Sequence, residues 1–240
     1  MEIKDKVVII TGSSSGIGLS TARLFSRHGA KLAIAARSED KLKELANELK
    51  GDIIIIPTDM RDEAAVKNMI AKAYEHFGRI DVLINNAGQG MHVPVEYTNL
   101  KDYRSVFELN VVSVILAMQE VIPIMRKQGG GVIVNISSGL TKRIIPTVGP
   151  YASTKYALNA ITLTARMELE KDNIKVGLVI PGITATDFFK NTIRIKGKEG
   201  DPALKNYMSG DSPDHVAEKI LEAVQTGEAE VYADSVKQRQ

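Results

Sequence analysis

The sequence predicts an α/β fold built on a doubly wound parallel sheet of about seven strands, with helices on both faces. Three observations carry that expectation. Short apolar runs rich in branched residues recur along the chain, helix-length amphipathic segments separate them, and a glycine-rich turn links the first run to the first such segment. Continuous apolar runs suit strands buried on both faces, and the spacing between them suits right-handed crossovers.

Taken in order, the strand candidates are Val7–Ile10, Leu32–Ala35, Ile53–Ile56, Val82–Ile84, Val132–Ile136, Val176–Ile180 and a weak Val231–Tyr232. Between them, the spacing predicts helices over Gly16–His28, Glu39–Leu49, Asp62–Phe77, Lys101–Lys127, Tyr151–Leu169 and Pro213–Thr226. No stretch rich in Pro, Gly or Ser divides the chain, so residues 1–240 are expected to form one domain. Two long connections break the rhythm: Gly139–Pro150, and a segment from about 183 to 211 that reads as a substrate loop or lid.

Composition narrows the function classes. The 31 basic and 29 acidic side chains leave a formal charge of +2, so no global field points to nucleic acid or an anionic membrane. The first apolar run is too short for a signal-peptide core or a membrane span, and the cytoplasm is the expected location. Without cysteine there is no thiol nucleophile, disulfide or thiolate metal site, and redox chemistry would need a bound cofactor. His28, His76, His92 and His215 lie far apart, with no ligand-like spacing, and no metal is expected.

In open parallel sheets, ligands bind beyond the carboxyl ends of the strands. Those ends here carry Gly12 to Gly18, then Arg37, Asp59, Asn85 to Gly88, Ser137 with Ser138, and Pro181 with Gly182. Small and polar residues thus share one rim, as a Rossmann-type dinucleotide crevice requires. The turn Thr11-Gly12-x3-Gly16-x-Gly18 lets backbone approach a pyrophosphate at a helix N-terminus. A rival reading starts from Gly12-Ser13-Ser14-Ser15-Gly16, which satisfies the G-x-S-x-G elbow and would make Ser14 a hydrolase nucleophile. Further along, Tyr151 and Lys155 stand four residues apart on one helix face. An ammonium beside a phenol, whose ordinary pKa is about 10, favours the phenolate and brings proton exchange nearer neutrality.

Together with Asn85-Asn86-Ala87-Gly88 and a serine thirteen residues before Tyr151, these motifs resemble the short-chain dehydrogenase/reductase family over nearly the whole chain. The resemblance implies reversible hydride transfer between a nicotinamide and a carbonyl or alcohol carbon. Tyr151 would be the proton donor or acceptor, Lys155 would lower its pKa and bind the nicotinamide ribose, and Ser138 would position the substrate oxygen. Ser137 is the alternative, although the thirteen-residue interval favours Ser138. Asn110 matches the family's helix asparagine and would support a proton relay through water and the lysine; packing is the competing role.

For the cofactor, the resemblance implies contacts from Gly12, Ser14, Ser15, Gly16, Ile17 and Gly18, and from Asp59 and Met60 near the adenine. Asn86, Ala87 and Gly88 would line the dinucleotide, Pro181, Gly182 and Ile183 would run past the nicotinamide, and Thr186 would bind its carboxamide. An NAD enzyme usually carries an acid about twenty residues beyond the glycine turn, but Ala36 stands there and Arg37 follows. A guanidinium at a helix N-terminus suits a phosphate, so NADP is expected over NAD.

A non-catalytic dinucleotide sensor is the second rival, though such a protein need not retain Ser138, Tyr151, Lys155 and Asn110 together. Met91, Val93, Leu140, Ile145, Val148, Phe188 and Phe189 predict a largely apolar pocket for a small carbonyl or alcohol substrate. Reduction is the expected direction, and a 3-oxoacyl carrier-protein reductase, with Arg126 and Lys127 meeting the carrier, fits the same residues. The family resemblance also implies a homodimer or homotetramer.

Overall fold

The structure is a computed structural model, and it describes residues 1–195 and 210–237. Seven parallel strands run in the order β3-β2-β1-β4-β6-β7-β9. They are β1 (Val7–Thr11), β2 (Lys31–Ala36), β3 (Ile53–Pro57), β4 (Val82–Asn85), β6 (Gly131–Ile136), β7 (Ile174–Ile180) and β9 (Glu230–Tyr232). The seven predicted runs are these strands. Two further strands, β5 (Met91–His92) and β8 (Ile193–Arg194), form a separate parallel ribbon that the sequence reading did not anticipate. From β1 the chain winds outward through β2 and β3, then returns to place β4 on the other side of β1. That reversal opens a crevice at the carboxyl ends of β1 and β4.

On one face pack α1 (Gly16–Arg27), α2 (Glu39–Glu48) and α7 (Pro213–Thr226), with Phe25, Leu42 and Ile220 meeting Ile10, Ile34 and Val134. On the other lie α3 (Glu63–Phe77), α5 (Ser113–Lys127) and α6 (Gly149–Leu169), whose Met69, Val114 and Leu158 cover Ile9, Leu83 and Ile133. A short α4 (Leu100–Phe107) leads into α5, and α8 (Asp234–Lys237) closes the described chain. Caps explain several boundaries. The Asp62 carboxylate accepts from the Ala64 and Ala65 N–H groups at the start of α3, and Gly78 ends that helix in the left-handed region at φ 73°.

The predicted Lys101–Lys127 helix needs correction. A π turn at Glu108–Val112 separates α4 from α5, because the backbone widens where the side chain of Asn110 turns inward to bond a loop. By length and composition Leu100–Lys127 could cross a membrane, yet half of its most apolar stretch is buried against the sheet, as in a core helix. Of the predicted lid, residues 196–209 lie outside the described residues.

Under the rim, polar side chains cross the core. Buried Asn135 accepts from Asn85 Nδ2 at 2.8 Å and donates to Thr162 Oγ1 at 2.9 Å, joining β4, β6 and α6. Replacing Asn135 with Ala strands the Asn85 amide in a dry interior, while Thr162 keeps its bond to the Leu158 carbonyl. The expected cost is about 2–4 kcal/mol, read as a lower urea midpoint with an unchanged slope. A variant as stable as wild type would show that these two bonds do not hold the strand ends together.

Candidate active site

A cleft of about 1200 Å³ follows the strand ends. At its floor the glycine turn makes close approaches that no side chain would permit. A Cβ on Gly18 would fall 2.4 Å from the Gly12 carbonyl oxygen, and one on Gly12, at φ +69°, would meet Asn86 Nδ2 at 2.9 Å. The Asn86 amide returns the contact by donating to the Thr11 carbonyl at 2.8 Å, which clamps the end of β4 to the turn. Ser15 stands at the N-cap of α1 without bonding any of its N–H groups, so the first turn faces the cleft with open donors.

Gly12, Ser14, Ser15, Gly16 and Ile17 line this part of the cleft, as do Arg37, Asp59 and Met60 further along. Asn86, Ala87 and Gly88 form the opposite wall, and Pro181, Gly182, Ile183 and Thr186 form the other side. Two predicted residues stand behind the lining: Gly18 beneath Gly12, and Asn110 behind Gly88. Ser14 has no backbone strain and no hydrogen bond to a histidine among the described residues, which removes the support for the hydrolase reading. Thr186 caps a short turn, accepting from the Phe188 N–H at 3.3 Å, and its methyl group packs against Gly16.

The chemical groups gather where α6 meets β6. Lys155, 5% exposed, donates to the Ile136 carbonyl at 2.8 Å, and its burial pushes the ammonium down to about 8. Tyr151 presents its ring to the cleft one turn earlier, with Lys155 Nζ 6.0 Å from the ring centroid. The expected lowering of the phenol is not found: burial raises Tyr151, and a bond from Ser138 opposes that rise without cancelling it. Ser138 also accepts from the Leu140 N–H at 3.2 Å. Ser137 is turned away, its buried hydroxyl donating to Asn159 of α6.

Asn110 is fully buried with both amide hydrogens used, on the Gln89 carbonyl and Thr154 Oγ1, each at 3.0 Å. Its Oδ1 accepts from the Gln89 N–H at 2.9 Å. The side chain therefore fixes the Gly88–Gln89 backbone against α6. Gln89 and Thr154 were not singled out from the sequence, since polar residues on a loop and inside a helix carry no signal until a buried partner is known.

Met91, Leu140, Ile145, Val148, Phe188 and Phe189 line the substrate end, and Phe188 stands 5.9 Å from Tyr151, centroid to centroid. Val93 does not line it; it is buried behind Met91 against Val106. At the far end, Arg37 is exposed and lines the cleft with Lys41 and Arg61. Burial lowers the Arg61 pKa, Asp59 opposes that, and the Arg37 charge lowers it further. The Arg61 guanidinium is held in place, donating to Ser105 Oγ at 2.9 Å and to Gln89 Oε1 at 2.5 Å, whereas no such bond is found for Arg37 among the described residues.

A family profile described as short chain dehydrogenase matches residues 6–196. An uncharacterized oxidoreductase of Staphylococcus saprophyticus is 36% identical over 226 residues, 92% of this chain and 91% of that protein. Among solved structures, the 3-ketoacyl-(acyl-carrier-protein) reductase of Brucella melitensis, complexed with NADH, superimposes with a TM-score of 0.86 at 25% identity, covering 96% of this chain and 97% of that one. The alcohol dehydrogenase of the archaeon Thermococcus sibiricus, complexed with 5-hydroxy-NADP, gives a TM-score of 0.82 at 28% identity, covering 95% and 96%.

The buried ammonium generates a test independent of any substrate. In the unfolded chain Lys155 titrates near its ordinary 10.5, whereas in the fold it titrates near 8. Below about pH 8 both states are protonated and folding carries the full burial cost. Above it the folded state sheds the proton first, so stability rises with pH until the unfolded lysine titrates. Wild type should therefore gain about 1 kcal/mol per pH unit over Lys155→Met between about pH 8 and pH 10. Urea unfolding at three pH values reads the difference, and a flat difference would mean that Lys155 keeps an ordinary pKa in the fold.

Proposed function

The chain belongs to the short chain dehydrogenase family, and from that premise we propose that it is an NADP(H)-preferring reductase of ketones or aldehydes. One observation carries the reading: Tyr151, Ser138 and buried Lys155 converge on the cleft that the glycine turn lines. The glycines let the turn pack directly on Asn86 and Ala87, where a Cβ would collide, and the open N–H groups of α1 suit a pyrophosphate. When bound, the dinucleotide supplies or accepts the hydride.

In this reading the Ser138 hydroxyl bonds the substrate oxygen and Tyr151 gives it a proton as the carbon is reduced. A tyrosine is a phenol at neutral pH even at its ordinary pKa of about 10, so Tyr151 carries the proton that reduction consumes. Lys155 has one hydrogen on Ile136 and two more for ribose hydroxyls. Asn110 acts as a positioning residue for the Gly88 wall, because its amide hydrogens are already used. Exposed Arg37, lining the far end of the cleft, would hold a ribose phosphate, which favours NADP over NAD.

The apolar lining around Phe188 suits a small carbonyl compound, with 3-oxoacyl substrates within that class. A carrier-protein contact through Arg126 has less support, since this guanidinium is held by Asp172 at 2.6 and 2.9 Å. Half-exposed Val112 and Tyr156 and strongly exposed Met167, on and beside the outer faces of α5 and α6, support assembly into a homodimer or homotetramer. Location in the cytoplasm completes the proposal. A sensor without turnover fits less well, because nothing in such a protein calls for a Ser138–Tyr151 pair beside a buried lysine.

Two measurements test this. Tyr151→Phe keeps the ring and removes the proton, so NADPH-dependent reduction across a carbonyl panel should fall at least about a hundredfold while dinucleotide affinity changes little; near-normal turnover would remove Tyr151 from the chemistry. In Ala36→Asp combined with Arg37→Ala, the new carboxylate repels a ribose phosphate and the guanidinium is gone. The ratio of kcat/KM with NADPH to that with NADH should drop by roughly ten- to a hundredfold. A wild-type ratio below one would leave Arg37 as a solvent-facing side chain, and an unchanged ratio in the double variant would move the phosphate to Ser38, since Ser13 is buried with its hydroxyl on the Ala35 carbonyl.

A further inference from the structure

The substrate end of the cleft is apolar at its wall and cationic at its mouth. Arg143 and Arg194 both line it. Arg143 follows the short turn Gly139–Lys142, and Arg194 lies on β8, where the parallel register sets it beside His92 of β5. Register partners in a parallel pair project to the same face. The His92 imidazole bonds Thr147, which places that face of the ribbon toward the 143–148 loop. Thus the ribbon that carries Arg194 is joined to the loop that follows Arg143, and both residues line the cleft.

Neither guanidinium has a hydrogen bond or ion pair to a described residue, although both are exposed charges that acids elsewhere on this chain readily meet. Neighbouring Lys142 differs, since it is turned to Glu230 at 3.5 Å and the Tyr232 ring. Among the described lining residues the one carboxylate is Asp59, at the other end of the cleft. Such an imbalance cannot come from the chain's overall charge, which is only +2. Thr147, a branched residue held at φ 70°, adds backbone strain at the same opening. Strain of this kind persists where a loop is kept in place for binding.

Resting on the reductase reading, we propose that the substrate is amphipathic: a carbonyl reduced at Tyr151, an apolar middle against Phe188, and a carboxylate at the far end held by Arg143 and Arg194. Arginine suits that partner because its planar fork meets both carboxylate oxygens.

The test pairs a series of methyl-ketone carboxylic acids of increasing chain length with their methyl esters, using wild type with NADPH and with NADH. For at least one length, kcat/KM for the acid should exceed that for its ester about tenfold at low salt, and added salt should shrink the advantage. In Arg143→Met with Arg194→Met, the acid-to-ester ratio should fall toward one; taking a ratio cancels any loss of folded protein. Arg143→Lys with Arg194→Lys should retain part of it. Turnover of the esters with no advantage for any acid in wild type overturns the carboxylate proposal and leaves the reductase reading standing. An advantage that survives in the double methionine variant overturns the assignment to these two arginines. No turnover of either series, with either dinucleotide, overturns both readings.

Discussion

A lysine ammonium buried against a strand-end carbonyl is a demanding arrangement, because the charged nitrogen must be desolvated and yet keep a partner. Lys155 meets that demand with the Ile136 carbonyl, a group the sheet itself leaves free at the end of β6. The bond fixes the position of α6 relative to the strand. Tyr151, one turn earlier, and Ser138, two residues beyond Ile136, are brought together as a result. Their mutual placement therefore rests on one contact between helix and sheet.

Asparagines extend the same logic across the rim. Asn135 and Asn85 bond beneath it, Asn86 clamps the glycine turn, and Asn110 holds the Gly88 wall. A carboxamide donates and accepts at once, so each can bridge two backbones or two elements without carrying charge into the interior. A cleft built this way is rigid at its floor while its mouth is formed by loops. That division matches the preorganisation that proton and hydride chemistry require.

The strands and glycine turn were legible in the sequence because each depends on a local pattern: branched apolar runs, or glycines at fixed spacing. Tyr151 and Lys155 were legible as a pair for the same reason, one helix turn apart. The direction of the Tyr151 shift was not, since it depends on how much of the phenol the folded chain buries rather than on the nearby ammonium. The π turn at Asn110 and the β5–β8 ribbon also escaped, because both are set by contacts between distant segments, Asn110 with Gln89 and Met91 with Ile193. Val93 read as pocket lining because it is apolar and close to Met91 in sequence, but it packs in a small core with Met91 and Val106, a contact between segments that composition does not show.

The ribbon has a bearing on how such a protein diversifies. Its two residue pairs, Met91 with Ile193 and His92 with Arg194, link two loops that line the cleft, and it stands apart from the seven-stranded sheet. Changes in its exposed residues need not propagate into the glycine turn or the Lys155 anchor. Mouth and floor can then drift at different rates: the floor is constrained by close backbone contacts, whereas the mouth is open to exchange as a small cassette. One reaction centre can in this way be presented to successive substrates without being rebuilt.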